Sequence, residues 1–291
     1  MKRIVVIGDA MLDVVVKPTA PHAPTSDTPS TVRLSRGGAG ANVAAALATF
    51  GHEVIYVGVV GDDMAGHLFV DELVRAGVTP QLQVAPGPTG VVVALIAGDG
   101  QRAMMTDRGV NGALEWDHVR SVLEMPFDHL HLSGYTLLDE ATRLTGTAAL
   151  ELARSKVAGS SVDVCSVGPL ASVTVPVFLA AADSASMLFA NAEEARMLTG
   201  LHDVRAAATQ LGQSFVEVLV TIGAMGAVAV VGQELTSEGT RSVVVLDTTG
   251  AGDAAIGAYL ARRVSGDSVR DALEASMKAA AVVVAGIGSR G

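Results

Sequence analysis

Short β-branched runs alternate along this chain with longer stretches in which apolar positions recur every three to four residues. The short runs predict strands over 3–7, 54–60, 91–97, 129–132, 161–165, 187–190, 217–221, 227–231 and 242–246. The longer stretches predict helices over 40–50, 64–76, 115–123, 140–155, 192–199, 204–211, 251–264 and 268–285. Strands that alternate with helices imply an α/β fold with a mainly parallel sheet covered on both faces. Continuous apolar strands such as 4–7 and 218–220 fit burial on both sides. Two regions break the rhythm. Residues 17–31 are rich in Pro, Thr and Ser, and 84–106 read as β-rich with turns at Gly87 and at Gly98-Asp99-Gly100. Neither has a helix to cover it. Such strands can form a small flap beside the main sheet, and 17–31 reads equally as a surface loop.

Composition narrows the class. A chain of 291 residues suffices for one large α/β domain. Its formal net charge of -10 argues against nonspecific nucleic-acid binding, which needs a basic surface. A few local amides and cations still suffice to hold ATP phosphates. Cys165 is the single cysteine, so no internal disulfide can form, which fits a reducing cytoplasm. The apolar run 279–287 is about half a membrane span, and Asp9 and Asp13 interrupt the apolar N-terminus. A soluble, cytoplasmic protein without membrane partners is expected.

Candidate chemistry sits at glycine-rich turns that open helices. Asp247-Thr248-Thr249-Gly250-Ala251-Gly252-Asp253 joins an apolar run to an alanine-rich helix. Free N–H groups at a helix start bind anions, and an aspartate there can accept a hydroxyl proton. Capping and turning explain the same residues. Gly37-Gly38-Ala39-Gly40-Ala41-Asn42 also runs into a helix. It reads as a backbone cradle for a hydroxyl-rich ligand or as a tight packing turn. Asp13 follows the first strand, where α/β sheets bind ligands, and reads otherwise as a solvated turn residue. Asn191 and Glu194 form a capping pair or hold Mg²⁺ through water. Thr221, Gly223 and Gly226 make a phosphate cradle, a hairpin turn or both. No Walker A lysine follows either glycine cluster, and the first strand lacks the three-glycine dinucleotide fingerprint. The missing fingerprint disfavours a nicotinamide-dependent oxidoreductase.

Taken together and in this order, these segments resemble the ribokinase-like, or PfkB, carbohydrate kinase family over nearly the whole chain. The 37–42 cluster resembles its N-terminal signature and the 247–253 heptad its C-terminal one. Gly61-Asp62-Asp63 and Thr89-Gly90 fall at expected places between them. The resemblance implies a three-layer α/β/α fold with a mainly parallel sheet and a small β-rich lid built from about 14–34 and 89–106. It implies ATP-dependent phosphorylation of a hydroxyl on a sugar, a sugar acid or a nucleoside. Asp253 would be the base, and Gly250, Ala251 and Gly252 the anion hole. Asp13, Gly38 and Asn42 would bind the sugar. Asn191, Thr221, Gly223 and Gly226 would line the ATP site, and Asn191 and Glu194 would organise Mg²⁺ through water. Asp247 and Thr249, with carbonyls near Val283, Gly286 and Gly288, would bind a monovalent cation, usually K⁺. Arg108 would reach an acidic sugar or stand as a loop arginine. In many members the lid also forms a homodimer interface. The helix dipole at residue 253 is expected to favour an ionised aspartate. Ala39 stands where ribokinases carry lysine, and no acidic sugar contact lies near Ser133-Gly134-Tyr135, which points away from ribose. A nucleoside kinase, or a catalytically silent sugar or nucleotide sensor on the same scaffold, is the alternative.

Overall fold

The structure is a computed structural model that describes residues 1–21, 25–96, 102–156, 159–240, 243 and 248–286. The chain opens with β1 (Arg3–Ile7), then β2 (Met11–Pro18), β3 (Ser30–Gly37), helix α1 (Ala39–Thr49), β4 (Glu53–Val60), α2 (Met64–Arg75) and β5 (Val78–Val84). It continues through β6 (Gly90–Ile96), β7 (Arg102–Asp107), α3 (Trp116–Leu123), β8 (His129–Ser133), the single turn α4 (Tyr135–Leu138) and α5 (Glu140–Ser155). The middle holds β9 (Gly159–Asp163), α6 (Val167–Val173), α7 (Val175–Ala182), β10 (Met187–Asn191), α8 (Ala192–Thr199) and α9 (Val204–Leu211). It closes with β11 (Glu217–Thr221), β12 (Ala227–Val231), β13 (Glu234–Glu238), α10 (Ala251–Val264) and α11 (Val269–Val284).

The main sheet runs β13-β12-β11-β10-β9-β8-β1-β4-β5. Every pairing from β11 to β5 is parallel, and β12 and β13 close one edge antiparallel. Alternation along each strand splits the core in two. Val5 and Ile7 join the cluster under α3, α5, α7, α8 and α9, while Ile4 and Val6 join the cluster under α1, α2, α10 and α11. This is the three-layer α/β/α arrangement expected from the chain. Polar groups inside the sheet are paired. His129 and His131 both meet the Ser161 hydroxyl at 2.9 Å, and burial holds both imidazoles neutral, at a pKa of about 3.

A second sheet, β3-β2-β6-β7, stands beside the first. Its β2–β6 pair is parallel and its outer pairs are antiparallel. It is anchored where two short motifs of the sequence meet. The Asp63 carboxylate caps α2 through Gly66 N–H and accepts both the hydroxyl and the N–H of Thr89, while Gly61 N–H donates to the same hydroxyl. Gly61-Asp62-Asp63 and Thr89-Gly90 are thus one clasp at the root of β6. Among the described residues, no helix is long and apolar enough to cross a membrane. The strand expected over 242–246 lies, apart from Val243, outside the described residues.

Candidate active site

The order of the sheet reverses at β1, which lies between β4 and β8. Ligands in open α/β sheets bind beyond the strand C-termini at such a point. The chain leaves β1 at Gly8, forms the β2–β3 half of the small sheet and returns into α1 at Gly38. Gly38 has φ +92°, and a Cβ there would run into the Asp9 carbonyl oxygen, so only glycine lets β3 turn into α1 so tightly. Helix α10 then packs along α1. A side chain at Gly257 would collide with Ala46, so the two helices approach closely. Their N-terminal turns converge, and Asn42 Nδ2 donates to Asp253 Oδ2 at 2.8 Å across 211 residues of sequence.

Asp253 is half-buried in the first turn of α10. Burial pushes its carboxyl up to about 6, against the Asn42 hydrogen bond and the charge of Arg36, which lower it. The helix start therefore does not leave it an ordinary aspartate: desolvation outweighs the dipole that sequence reasoning emphasised. Asp13, on β2 of the small sheet, is raised to about 6, first by burial and then by Asp253. Glu194 is raised to about 7 by burial, with Asp253 contributing, and burial drives Asp163 well above the carboxylate range, with Glu194 and Asp253 adding to it. Four carboxylates thus share one electrostatic neighbourhood at the strand C-termini. Such a cluster fits a site that receives cations. Among the described residues no group of acids is placed to grip a metal directly. A Mg²⁺ here would be held through water and phosphate, in keeping with its reluctance to dehydrate.

The cost of this cluster can be measured. Asp13 has a native pKa near 6 against 3.8 for the unconstrained group, so its ionised form destabilises the fold above that range and the cost vanishes below about pH 4. Asp13→Asn should raise the unfolding free energy at pH 8 by ~1 kcal/mol, discounted for partial solvent access. Denaturant midpoints at pH 8 and pH 4 check it. A gain that persists at pH 4 would sink this explanation.

On the other side of the cluster, Asn191 and Thr221 are register partners at the ends of β10 and β11. Asn191 Oδ1 accepts from the N–H groups of Glu193 and Glu194, and Glu194 Oε2 accepts from Asn191 N–H at 2.8 Å, a full capping box. Capping therefore accounts for this pair locally, and it also fixes the Glu194 carboxylate beside Asp163. Thr221, Gly223 and Gly226 form the β11–β12 turn, closed by Ile222 N–H on the Gly226 carbonyl at 2.7 Å.

Arg108 lies at the foot of β7. Its Nε and Nη2 clasp the two oxygens of Asp9 at 2.8 and 2.9 Å, and Nη1 meets Asp139. It is engaged with two carboxylates of its own chain. Gly250 and Val283 line a common cavity of about 840 Å³, and the Val283 carbonyl accepts Gly286 N–H at 3.0 Å. Asp247 and Gly288 lie outside the described residues. Two participants escaped the sequence reading. Asp163 was placed inside a strand over 161–165, but β9 ends at Asp163 and delivers it to the site. Arg36 directly precedes the first glycine pair, and its guanidinium donates to Asn42 Oδ1 at 2.8 Å.

The family model described as "pfkB family carbohydrate kinase" matches residues 1–291. The chain belongs to the PfkB carbohydrate kinase family. It is 30% identical over 303 residues to the ATP-dependent ribose-1-phosphate kinase of Halopiger xanaduensis, covering 100% of this chain and 94% of that protein. It is 27% identical over 272 residues to the fructokinase of Solanum tuberosum, covering 91% and 82% of the two chains. The solved adenosine kinase from Sinorhizobium meliloti superposes with a TM-score of 0.89 at 24% identity, covering 100% of this chain and 96% of its own. As a PfkB kinase, the protein is an ATP-dependent phosphotransferase, and kinases of this family typically use ATP with Mg²⁺.

Proposed function

We propose that the protein transfers the γ-phosphoryl group of MgATP to a hydroxyl, preferably a primary one, of a sugar or sugar-like acceptor. The observation that carries this reading is the Asn42–Asp253 contact, which sets a carboxylate in the first turn of α10 opposite Asp13 on the small sheet. In this reading Asp13, Gly38 and Asn42 hold the acceptor, and Asp253 takes its proton. The backbone N–H groups of Gly250, Ala251 and Gly252 at the start of α10 stabilise the transferring group, that of Ala251 by giving up the 3.3 Å bond it makes to the Thr248 carbonyl. Asn191, Thr221, Gly223 and Gly226 line the nucleotide side. Bound Mg²⁺, organised through water by Asn191 and Glu194, would supply charge neutralisation on the phosphates. Thr249, Val283 and Gly286, with Asp247 and Gly288, are proposed to hold a monovalent cation such as K⁺ beside the anion hole.

Arg108 bears on the acceptor. A substrate carboxylate would have to displace Asp9 or Asp139, so a neutral sugar is favoured over a sugar acid. ADP release from purified protein with MgATP, against pentoses, hexoses, their phosphates, keto-deoxy acids and nucleosides, tests the reading. Turnover on a neutral sugar is expected. Nucleoside-only turnover would select the nucleoside-kinase alternative, and no turnover with tight ligand binding the silent sensor. Repeating the assay with Na⁺ for K⁺ tests the cation site.

The small sheet is the proposed lid, and its outer face supports pairing of two copies. Register places Leu34, Val14, Val93 and Met105 in one row and Val32, Val16, Leu95 and Ala103 in the next. Leu34, Val32 and Met105 are each more than half exposed. An apolar face of this kind on a soluble kinase marks an interface. Leu34→Glu should convert a dimer to a monomer in sedimentation velocity. A wild-type protein that sediments as a monomer at micromolar concentration would remove the proposal.

A further inference from the structure

Arg36 is almost completely buried, yet nothing about a sugar kinase requires an arginine immediately before the glycine pair. Its setting explains why it is there. The Arg36 backbone N–H donates to Glu72 Oε2 of α2 at 2.7 Å, which fixes the end of β3 against the body of the protein. Its Nη1 donates to the Ala41 carbonyl at 3.1 Å and to Asn42 Oδ1 at 2.8 Å. A guanidinium can only donate. It therefore compels the Asn42 amide to present Oδ1 to Arg36 and Nδ2 to Asp253. Asn42 Nδ2 then occupies Asp253 Oδ2 and leaves the other carboxylate oxygen for an acceptor hydroxyl. This is the nucleophile, base and orienter logic of catalytic triads, built on an acceptor hydroxyl, Asp253 and an Asn42–Arg36 pair.

We propose that Arg36 is a positioning residue for phosphoryl transfer: by locking the Asn42 amide it aligns the Asp253 carboxylate for the acceptor hydroxyl. The proposal rests on Asp253 being the base. The charges that face Asp253 make the same demand. Asp13 from β2, Asp163 from β9 and Glu194 from α8 are all acidic, and each titrates upward partly because of Asp253. Arg36 is the cation that acts on Asp253 and Asp13 from β3, lowering both. The 840 Å³ cavity between α1, α2, α10 and α11 is lined by Arg36, Asn42 and Gly250, so a small cation can reach the position of a deleted guanidinium.

Three variants test this: Arg36→Ala, Arg36→Lys and Asp253→Asn, each assayed for kcat, for KM of ATP and for the acid limb of the pH profile. Arg36→Ala should lose roughly 10- to 100-fold in kcat with KM for ATP little changed, as for a misaligned base. Its acid limb should move to higher pH. Guanidinium chloride at non-denaturing millimolar concentration should restore a large part of the rate. Arg36→Lys keeps the charge, so its acid limb should stay near wild type while kcat falls less. An inactive Asp253→Asn beside an Arg36→Ala with wild-type kcat and an unmoved acid limb overturns the role of Arg36 alone. An Asp253→Asn with normal turnover overturns both, because there is then no base to position. Should Arg36→Ala not fold, Arg36→Lys decides: wild-type kcat and an unmoved limb overturn the proposal, and a lowered kcat with an unmoved limb supports it.

Discussion

Asp253→Asn is expected to lower kcat by on the order of 10² to 10⁴ at pH 8, with MgATP binding preserved. The substitution keeps the shape and the Asn42 contact but removes the proton acceptor. Phosphoryl transfer has a loose transition state in which the acceptor proton leaves late, so positioning and charge carry most of the catalysis. A base of modest strength is then adequate, and burial raises Asp253 to about 6, closer to the working pH than an ordinary aspartate. The sign of the pH dependence follows. In the proposed role the ionised form does the work, so wild-type kcat/KM should hold above about pH 6 and fall tenfold per unit well below it. The residual rate of the variant should lose that limb. Steady-state ADP release from pH 5 to 9, with ATP affinity by calorimetry, checks both halves. A variant that keeps turnover within tenfold of wild type and retains the acid limb would falsify the assignment.

Much of the architecture was legible because central strands such as β1, β4, β11 and β12 carry continuous apolar runs and several helices an amphipathic one. The edge strands β5 and β13, with Thr79, Gln81 and Gln83 and with Thr236 and Ser237, carry no such run and were not predicted. The strands over 3–7, 217–221 and 227–231 and the helix over 140–155 have the limits that periodicity predicts. The short helices α6 and α7 were missed, being seven and eight residues long, each with a proline in its first turn. The second sheet was harder to read. β2 carries Val14, Val15 and Val16 in succession and β3 mixes Arg33 with Leu34, so neither shows a clean period of two when one face is a site and the other is apolar. The glycine turns were visible because close backbone approach leaves a compositional trace. What sequence could not supply was depth. Asp13, Asp163, Glu194 and Asp253 come from four distant segments, and only folding reveals that they share one low-dielectric corner. Their spacing along the chain carries no mark of that, nor of Arg36 as the cation set against Asp13 and Asp253.

Glu217→Ala is expected to destabilise the fold by roughly 3–5 kcal/mol, as for a buried ion pair broken on one side. Glu217 opens β11 and is buried. Its Oε1 accepts from the Tyr259 hydroxyl at 2.6 Å and from Arg263 Nε at 2.8 Å, and Oε2 accepts from Arg263 Nη2 at 2.9 Å. Tyr259 and Arg263 lie four residues apart on one face of α10, so a single carboxylate clamps that helix to the strand that ends at Thr221. Truncation would strand a largely buried guanidinium and a phenol whose ordinary partner has gone. The proposed function is touched as well, since the same helix carries Asp253 less than two turns before Tyr259 while the same strand carries Thr221, the threonine proposed for the nucleotide side. Loss of the clamp should therefore raise KM for ATP and lower kcat together in the molecules that remain folded. Chemical denaturation of Glu217→Ala, Arg263→Met and the double variant measures the coupling. The double variant should recover part of the loss, because replacing both ions by apolar groups removes the stranded charge. A single variant that costs less than about 1 kcal/mol would mean that solvent reaches Arg263 well enough to make the pair a surface one.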